Sequence, residues 1–429
     1  MEAVNYKSFF SFFFPNGFCT FVIYFVQLKL NRMITLSDRL TTMVESATLA
    51  MSRKSRELKA QGKDIISLSL GEPDFNTPEF IKDAAKVGMD KNFTQYTPVS
   101  GYDDLRESIA LKFKRDNGLI YDKNQIVVST GAKQSIANVV MALINPGDEV
   151  IIPAPYWVSY VEIVKLAEGI PVIVSADINA DFKFTGAQLK AAITPKTKMM
   201  IFSTPCNPTG SVYTKEELRS LADVLVTAPN VVCLCDEIYE HINFEGKHES
   251  LAQFPDVYNQ VVTINGVSKA WAMTGWRLGY IGAPKVIADA CEKIQGQFTS
   301  GTCSITQRAT IAAMEADPKV IADMVAAFKN RRTLVLDALN AMPGVKTNMP
   351  KGAFYVFPDI SSFFGKSNGA TTIKTSEDLA MYLLDDALVA LVSGEAFGDE
   401  NCIRISYAAS EATLTEAMSR VAKSLAKLS

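Results

Sequence analysis

The sequence predicts an α/β protein built on a mostly parallel sheet. Three observations carry that expectation. From residue 65 onward, short β-like apolar runs alternate with amphipathic stretches of helical spacing. The run 231–236 (Val-Val-Cys-Leu-Cys-Asp) is almost continuously apolar, which fits a central strand buried on both faces. Gly- and Pro-rich turns follow several of these runs, at the carboxyl ends where open α/β sheets bind ligands.

Taken in order, residues 36–62 have near-helical spacing and stop at Gln61-Gly62. Residues 65–70 read as a strand. The loop Gly71-Glu-Pro-Asp-Phe-Asn-Thr77-Pro78 follows, with Thr77 placed to cap a helix whose first position is Pro78. A second loop, 95–101, contains Tyr96 and precedes an amphipathic helix from Asp103. Residues 126–129 form a strand that runs through Thr130-Gly131-Ala132-Lys133 into a helix over 135–144. A strand, a Gly turn and a helix start together make an anion cradle, because unpaired N–H groups and the helix dipole both favour negative charge.

Further strands are expected at 149–153, 170–174 and 199–203. The first ends in Ala154-Pro155-Tyr156-Trp157, and an indole face is suited to stacking on a flat ring. The last ends in the turn Pro205-Cys-Asn207-Pro208-Thr-Gly210. Cys233 and Cys235 alternate along 231–236 and serve as small apolar residues on one face, and Asp236 sits at that strand's carboxyl end. Residues 261–265 lead into Ser268-Lys269, with Arg277 eight residues beyond the Lys. A lysine amine can form a Schiff base with an aldehyde cofactor, and an Arg can hold that cofactor's phosphate. Taken singly, each is more often a solvated surface residue. A long helix over 317–342 leads to strands at 352–358 and 401–407. In the latter Ile403, Ile405 and Tyr407 share one face, and Arg404 and Ser406 the other. Arg404 would ordinarily be solvated there.

Composition bounds the reading. The 429 residues are 48% hydrophobic and 21% charged, with net charge −3, so nothing points to nucleic acid. Seven Cys without a repeated C-x-x-C suit a reducing, cytoplasmic setting. With only His241 and His248 present, a His-based triad or His-rich metal site is not expected.

The ordered set Asn207-Pro-Thr-Gly, Asp236-Glu-Ile-Tyr239, Ser268-Lys269 and Arg277 resembles the class I pyridoxal-phosphate aminotransferases, most nearly the bacterial-type aspartate aminotransferases. The resemblance begins near Met33 and runs to the C-terminus. It implies fold type I: a large domain with a mostly parallel seven-stranded sheet flanked by helices, and a smaller α+β domain from the C-terminus and an N-terminal segment. The boundaries it suggests are an N-terminal segment at 33–60 packing with the small domain, a large cofactor domain at 61–325 and the small domain at 326–429. Residues 1–32 form an apolar extension. Its runs 9–14 and 18–26 are interrupted by Pro15-Asn16-Gly17, and each is shorter than the roughly 20 residues a spanning helix needs. The preferred reading starts translation at Met33, the alternative is a targeting segment or anchor, and no membrane association is expected.

The resemblance also implies roles. Lys269 would hold pyridoxal 5′-phosphate and move the proton, Asp236 would stay ionised against the pyridine nitrogen, and Tyr239 with Asn207 would bond the ring's phenolic oxygen. Gly131, Ala132, Lys133, Ser268 and Arg277 would hold the phosphate, Trp157 would stack on the ring, and Tyr96 would reach a neighbouring subunit's phosphate. That last role implies a homodimer with shared sites. Arg404 would grip the substrate α-carboxylate with help from Asn207, and the Gly71 backbone would lie against the substrate. Lys133, Ser46 and Thr48 would bind a distal carboxylate. Relatives have Pro before that Ser, where this chain has Glu45. The implied activity is ping-pong transamination of L-aspartate with 2-oxoglutarate. Prephenate or another amino acid is an alternative substrate, and a pyridoxal-phosphate lyase a more distant one.

Overall fold

The structure is a computed structural model that describes residues 36–429. The expectations for residues 1–32 and for a start at Met33 lie outside the described residues. The chain divides into two units, 1–43 and 44–429. In the first, Asp38–Leu40 form a single 3-10 turn.

In the second unit, helix α1 (Ala47–Ala60) leads to a short strand β1 (Ile66–Ser67) and helices α2 (Glu79–Asp90) and α3 (Asp103–Lys112). Alternation then begins with β2 (Ile126–Ser129), α4 (Ala132–Leu143), β3 (Glu149–Ala154), α5 (Ser159–Leu166) and β4 (Ile170–Ser175). It continues through α6 (Gly186–Ala192), β5 (Thr197–Ser203), α7 (Lys215–Val226) and β6 (Val232–Asp236). β7 (Val261–Gly266) and β8 (Gly279–Gly282) form an antiparallel pair. Helices α8 (Lys285–Phe298), α9 (Ser304–Glu315) and α10 (Ala322–Asn340) follow. The chain ends in β9 (Tyr355–Val356), α11 (Ser376–Asp386), β10 (Val389–Ala390), β11 (Val392–Ser393), β12 (Ile403–Ser406) and α12 (Glu411–Leu425).

The main sheet has seven strands in the order β2-β8-β7-β6-β5-β3-β4. Only β8 runs against its neighbours; the other six are parallel. Central β6 explains why its sequence is apolar throughout. Cys233 and Cys235 pack into the core on one side, with Leu218 and Leu221 of α7. Leu234 packs on the other, with Val139 of α4 and Ile287 of α8. Complete burial of Leu234 contributes about 1.5–3 kcal/mol. A side chain bonding pattern starts α7 as well: Thr214 and Glu217 form a reciprocal capping box.

A second, three-stranded antiparallel sheet has the order β11-β12-β9. β1 pairs with β10, so residues 66–67 join the C-terminal part of the chain rather than the main sheet. Met51 of α1 clusters with Leu384 and Ala390 there.

Several local expectations are corrected. Thr77 does not cap α2: its hydroxyl donates to Ala272 O (2.8 Å) and accepts from Trp276 Nε1 (3.2 Å), so a tertiary contact outcompetes the cap, and Pro78 takes the N-cap position. Helix α4 begins at Ala132, three residues early, because Gly131 at φ +88° turns the chain directly from strand to helix. The expected strands at 65–70, 352–358 and 401–407 are each shorter, at two, two and four residues. The helical stretch at 317–342 divides into a 3-10 turn, Pro318–Ile321, and α10.

Candidate active site

Residues following the carboxyl ends of β2, β3, β5, β6 and β7 converge with β9 and β12 on one cavity of about 350 Å³. That is the position and the size expected of a small-molecule site in an open α/β sheet. Of the residues singled out from sequence, all but Gly131 and Tyr96 line it. Gly131 stands immediately behind. A Cβ added there would lie 2.5 Å from Arg277 Nη2, so only glycine lets the guanidinium approach the start of α4. Tyr96 is 101% exposed and lies outside this chain's cavity.

Lys269 follows β7. Its Nζ donates to Gly71 O at 2.5 Å and sits 5.7 Å from the Tyr239 ring centroid. Burial pushes its amine down to about 8, against the smaller opposing effect of Glu72. Asp236, the last residue of β6, accepts from Tyr160 OH (2.7 Å) and from the Ile238 N–H (3.2 Å). Burial nevertheless raises its carboxyl to about 6. Tyr160 and the backbone offset desolvation only in part, so near pH 7 the carboxylate is kept at a cost that a cationic partner would relieve.

Arg404 lies on β12 and is 1% exposed, not solvated as its strand position suggested. Its guanidinium is held by Asn207 Oδ1 (3.0 Å) and by Ser69 O, between the rings of Tyr355 (4.7 Å) and Phe397 (4.8 Å). Arg404 Nε and, elsewhere in the lining, Ser203 Oγ are buried without hydrogen-bond partners. Lys133 Nζ lies 4.9 Å from the Trp157 ring centroid, and burial lowers its amine. Ser46 precedes α1 without using its hydroxyl as a cap, so that hydroxyl and Thr48 face the cavity free of helix duty. Glu45, the departure noted above, accepts two bonds from Arg53 (2.5 and 3.0 Å), and the Val44 N–H donates to Glu162 (2.9 Å).

Among the lining residues that were not anticipated are Tyr160, Tyr355, Glu72 and Thr274. Each lay inside a stretch already singled out, or beside one, but nothing local marks it. Tyr160 meets Asp236 across 76 residues, Tyr355 meets Tyr239 across 116, and Thr274 donates to Glu72 across 202.

The cavity fits a phosphorylated cofactor. The N–H groups of Ala132 and Lys133 lack intrahelical acceptors, as at any helix start, and Arg277 stands over the Gly131 cradle. A different cluster has metal-type spacing: ligand atoms of Glu237, Glu240 and His248 fall within 4.8 Å. It already contains a cation, since Lys112 Nζ donates to Glu240, and Glu237 accepts from Ser250 (2.6 Å) beside His248 Nε2 (3.0 Å).

Residues 63–421 match the family model for aminotransferase class I and II. The chain belongs to this family. Among relatives of this aminotransferase, the bifunctional aspartate aminotransferase and glutamate/aspartate-prephenate aminotransferase of Petunia hybrida is 46% identical over 397 residues, 91% of this chain and 83% of that one. The aspartate/prephenate aminotransferase of Cereibacter sphaeroides is 47% identical over 400 residues, 92% of this chain and 100% of that one. The aspartate aminotransferase structure from Rhizobium meliloti superposes with TM-score 0.90 at 42% identity, covering 92% of this chain and 100% of the other. The Thermus thermophilus enzyme with maleate superposes at 0.86 and 39%, covering 91% and 100%. The aminotransferase fold thus extends over nearly all of the described chain, and no described helix is long and apolar enough to cross a membrane.

Proposed function

We propose that this aminotransferase uses pyridoxal 5′-phosphate held by Lys269 and transfers the amino group of L-aspartate to 2-oxoglutarate by a ping-pong cycle. The observation that carries the reading is Arg404, buried with an unpartnered Nε, in the same cavity as Lys269 and Lys133. One guanidinium for an α-carboxylate and one ammonium for a distal carboxylate suit a dicarboxylic amino acid.

The chemistry the cofactor supplies when bound is an aldehyde for amines and a ring that accepts an electron pair. Lys269 would take the proton from the substrate Cα and return it beyond the amine nitrogen, at the cofactor's former aldehyde carbon, a task helped by an amine whose pKa lies near working pH. Asp236 would face the ring nitrogen, whose positive charge would stabilise the carboxylate against the cost of its burial. Tyr239 and Asn207 would donate to the ring oxygen, and Trp157 would stack on the ring. Gly131, Ala132, Ser268 and Arg277 hold the phosphate. Arg404 orients the substrate, Gly71 lies along it, and Lys133, Ser46 and Thr48 take its distal carboxylate. Tyr96, fully exposed, serves a second copy's site, which makes the working unit a homodimer. Prephenate, which carries carboxylates too, is a second acceptor, favoured by the activities named for the Petunia and Cereibacter relatives. The cytoplasm is the setting we assign.

The test is an absorbance titration of the cofactor-loaded protein with L-aspartate and no keto acid. A change of the cofactor spectrum that 2-oxoglutarate reverses supports the reading. A spectrum indifferent to aspartate removes aspartate as donor. Release of ammonia without any acceptor identifies a lyase instead. Absence of any cofactor spectrum after loading overturns the role of Lys269.

A further inference from the structure

We propose that Tyr355 is a positioning residue of this site, which donates its phenolic proton to Tyr239 and thereby turns the proton of Tyr239 into the cavity. The proposal rests on the reading above, in which Tyr239 donates to the cofactor's ring oxygen.

The two phenolic oxygens lie 2.8 Å apart, and neither hydroxyl has another hydrogen-bond partner among the described residues. Burial raises both phenols above their ordinary range, so both keep their protons. Two protons and one shared bond leave one proton over. Tyr355 is 0% exposed, and its hydroxyl abuts Gly71, where an added Cβ would be 2.0 Å from the oxygen. Tyr239 is the one partner its hydroxyl has among the described residues, and Tyr355 is the more deeply buried of the pair, at 0% against 3%. A buried O–H without an acceptor is costly, about 1–3 kcal/mol. The proton of Tyr355 therefore goes to Tyr239, and the proton of Tyr239 is the one left for the cavity. The charged groups facing Tyr239 are Lys269, Asp236 and Arg404, and none of them bonds its hydroxyl.

The same side chain has a second, separable task. Its ring supports the Arg404 guanidinium at 4.7 Å. The hydroxyl thus acts on Tyr239, and the ring acts on Arg404.

Two variants separate these tasks in the cofactor-loaded enzyme. Tyr355→Phe keeps the ring and loses the hydroxyl. A weaker donor at the ring oxygen disfavours that oxygen's negative charge. The midpoint of the bound cofactor's absorbance–pH titration should therefore move to higher pH, by a roughly three- to tenfold change in proton affinity. KM for aspartate should stay within about threefold, since Arg404 keeps its support. Tyr355→Leu should give the same spectral shift and raise KM about tenfold, because the ring is gone. In a Tyr239→Phe background, Tyr355→Phe should move the midpoint no further, since Tyr355 acts through Tyr239. A Tyr355→Phe titration that overlays the unmodified enzyme, or an equal further shift in the Tyr239→Phe background, overturns the proposal and leaves the cofactor reading standing. An unmodified enzyme with no pH-dependent cofactor spectrum overturns both.

Discussion

One short stretch, Asp236-Glu237-Ile238-Tyr239-Glu240, feeds two polar clusters of opposite character. Asp236 and Tyr239 face the cavity, while Glu237 and Glu240 face the core behind it. Behind, charge is matched. Burial alone would raise Glu240, but the Lys112 ammonium, with the two histidines, outweighs it and holds the carboxylate well below its ordinary value. Asn117 Nδ2 donates to the same group at 2.6 Å. In front, charge is left unmatched: Asp236 is raised, Lys269 is lowered, and Arg404 Nε has no partner. The rear cluster pairs its charges within the chain and serves the fold, although Glu237 Oε2 and the His248 ring nitrogens make no hydrogen bond beyond their ion-pair contact at 3.0 Å. The front cluster keeps its bonding capacity for a ligand, at a cost to the empty protein.

Breaking one member on each side tests this division. The largest effect expected is from Lys269→Ala, which should slow transamination by about ten-thousand-fold while leaving thermal stability unchanged or higher. Single-turnover kinetics and a melting curve on the same preparation read both. Behind the site, Lys112→Met leaves buried Glu240 without its ammonium partner, with only Asn117 and His241 beside it, and should destabilise the fold by about 3 kcal/mol in urea titration. The kcat of the protein that remains folded should be nearly unchanged. Arg404→Lys cannot reproduce a two-pronged grip, and should raise KM for both aspartate and 2-oxoglutarate by about a hundredfold, with a smaller change in kcat.

The comparison is sharpened by pH. Asp236 has a folded pKa of about 6 against an ordinary 3.8. A raised folded pKa gives stability that is full below about 4 and lost as pH rises through about 6. Cofactor-free Asp236→Asn should therefore exceed the unmodified chain by up to about 3 kcal/mol at pH 7, and that gap should close between pH 6 and pH 4. Urea midpoints across that range measure it. The smallest effect is expected at the rim. Glu45 and Arg53 are both exposed, so Glu45→Ala should leave the melting temperature in place and change KM for aspartate by less than about twofold.

The two clusters were unequally legible in the sequence. Asp236, Lys269 and Asn207 stand at strand ends or in the turns after them, where a β/α pattern predicts ligands. Arg404 was found by resemblance alone, and its burial was not foreseen, because strand alternation places a residue on a face without saying what covers that face. The rear cluster was not foreseen at all. Lys112 ends α3, an exposed-looking amphipathic helix, and meets Glu240 across 128 residues. Tyr160 and Tyr355 failed for the same reason: each reads locally as an ordinary aromatic of a core, and only the packing of β9 and α5 around β6 gives its hydroxyl a partner.

The cavity wall carries Lys133, Lys269, Arg277 and Arg404 against only Asp236 and Glu72. Like charges gathered in a low-dielectric cleft focus the field at its mouth, although the chain as a whole is weakly negative. The encounter rate of a dianion such as aspartate's keto acid is thereby raised above that of a neutral competitor. Because that attraction reaches only about 8 Å at physiological ionic strength, the enzyme's preference among substrates at low concentration becomes a function of salt.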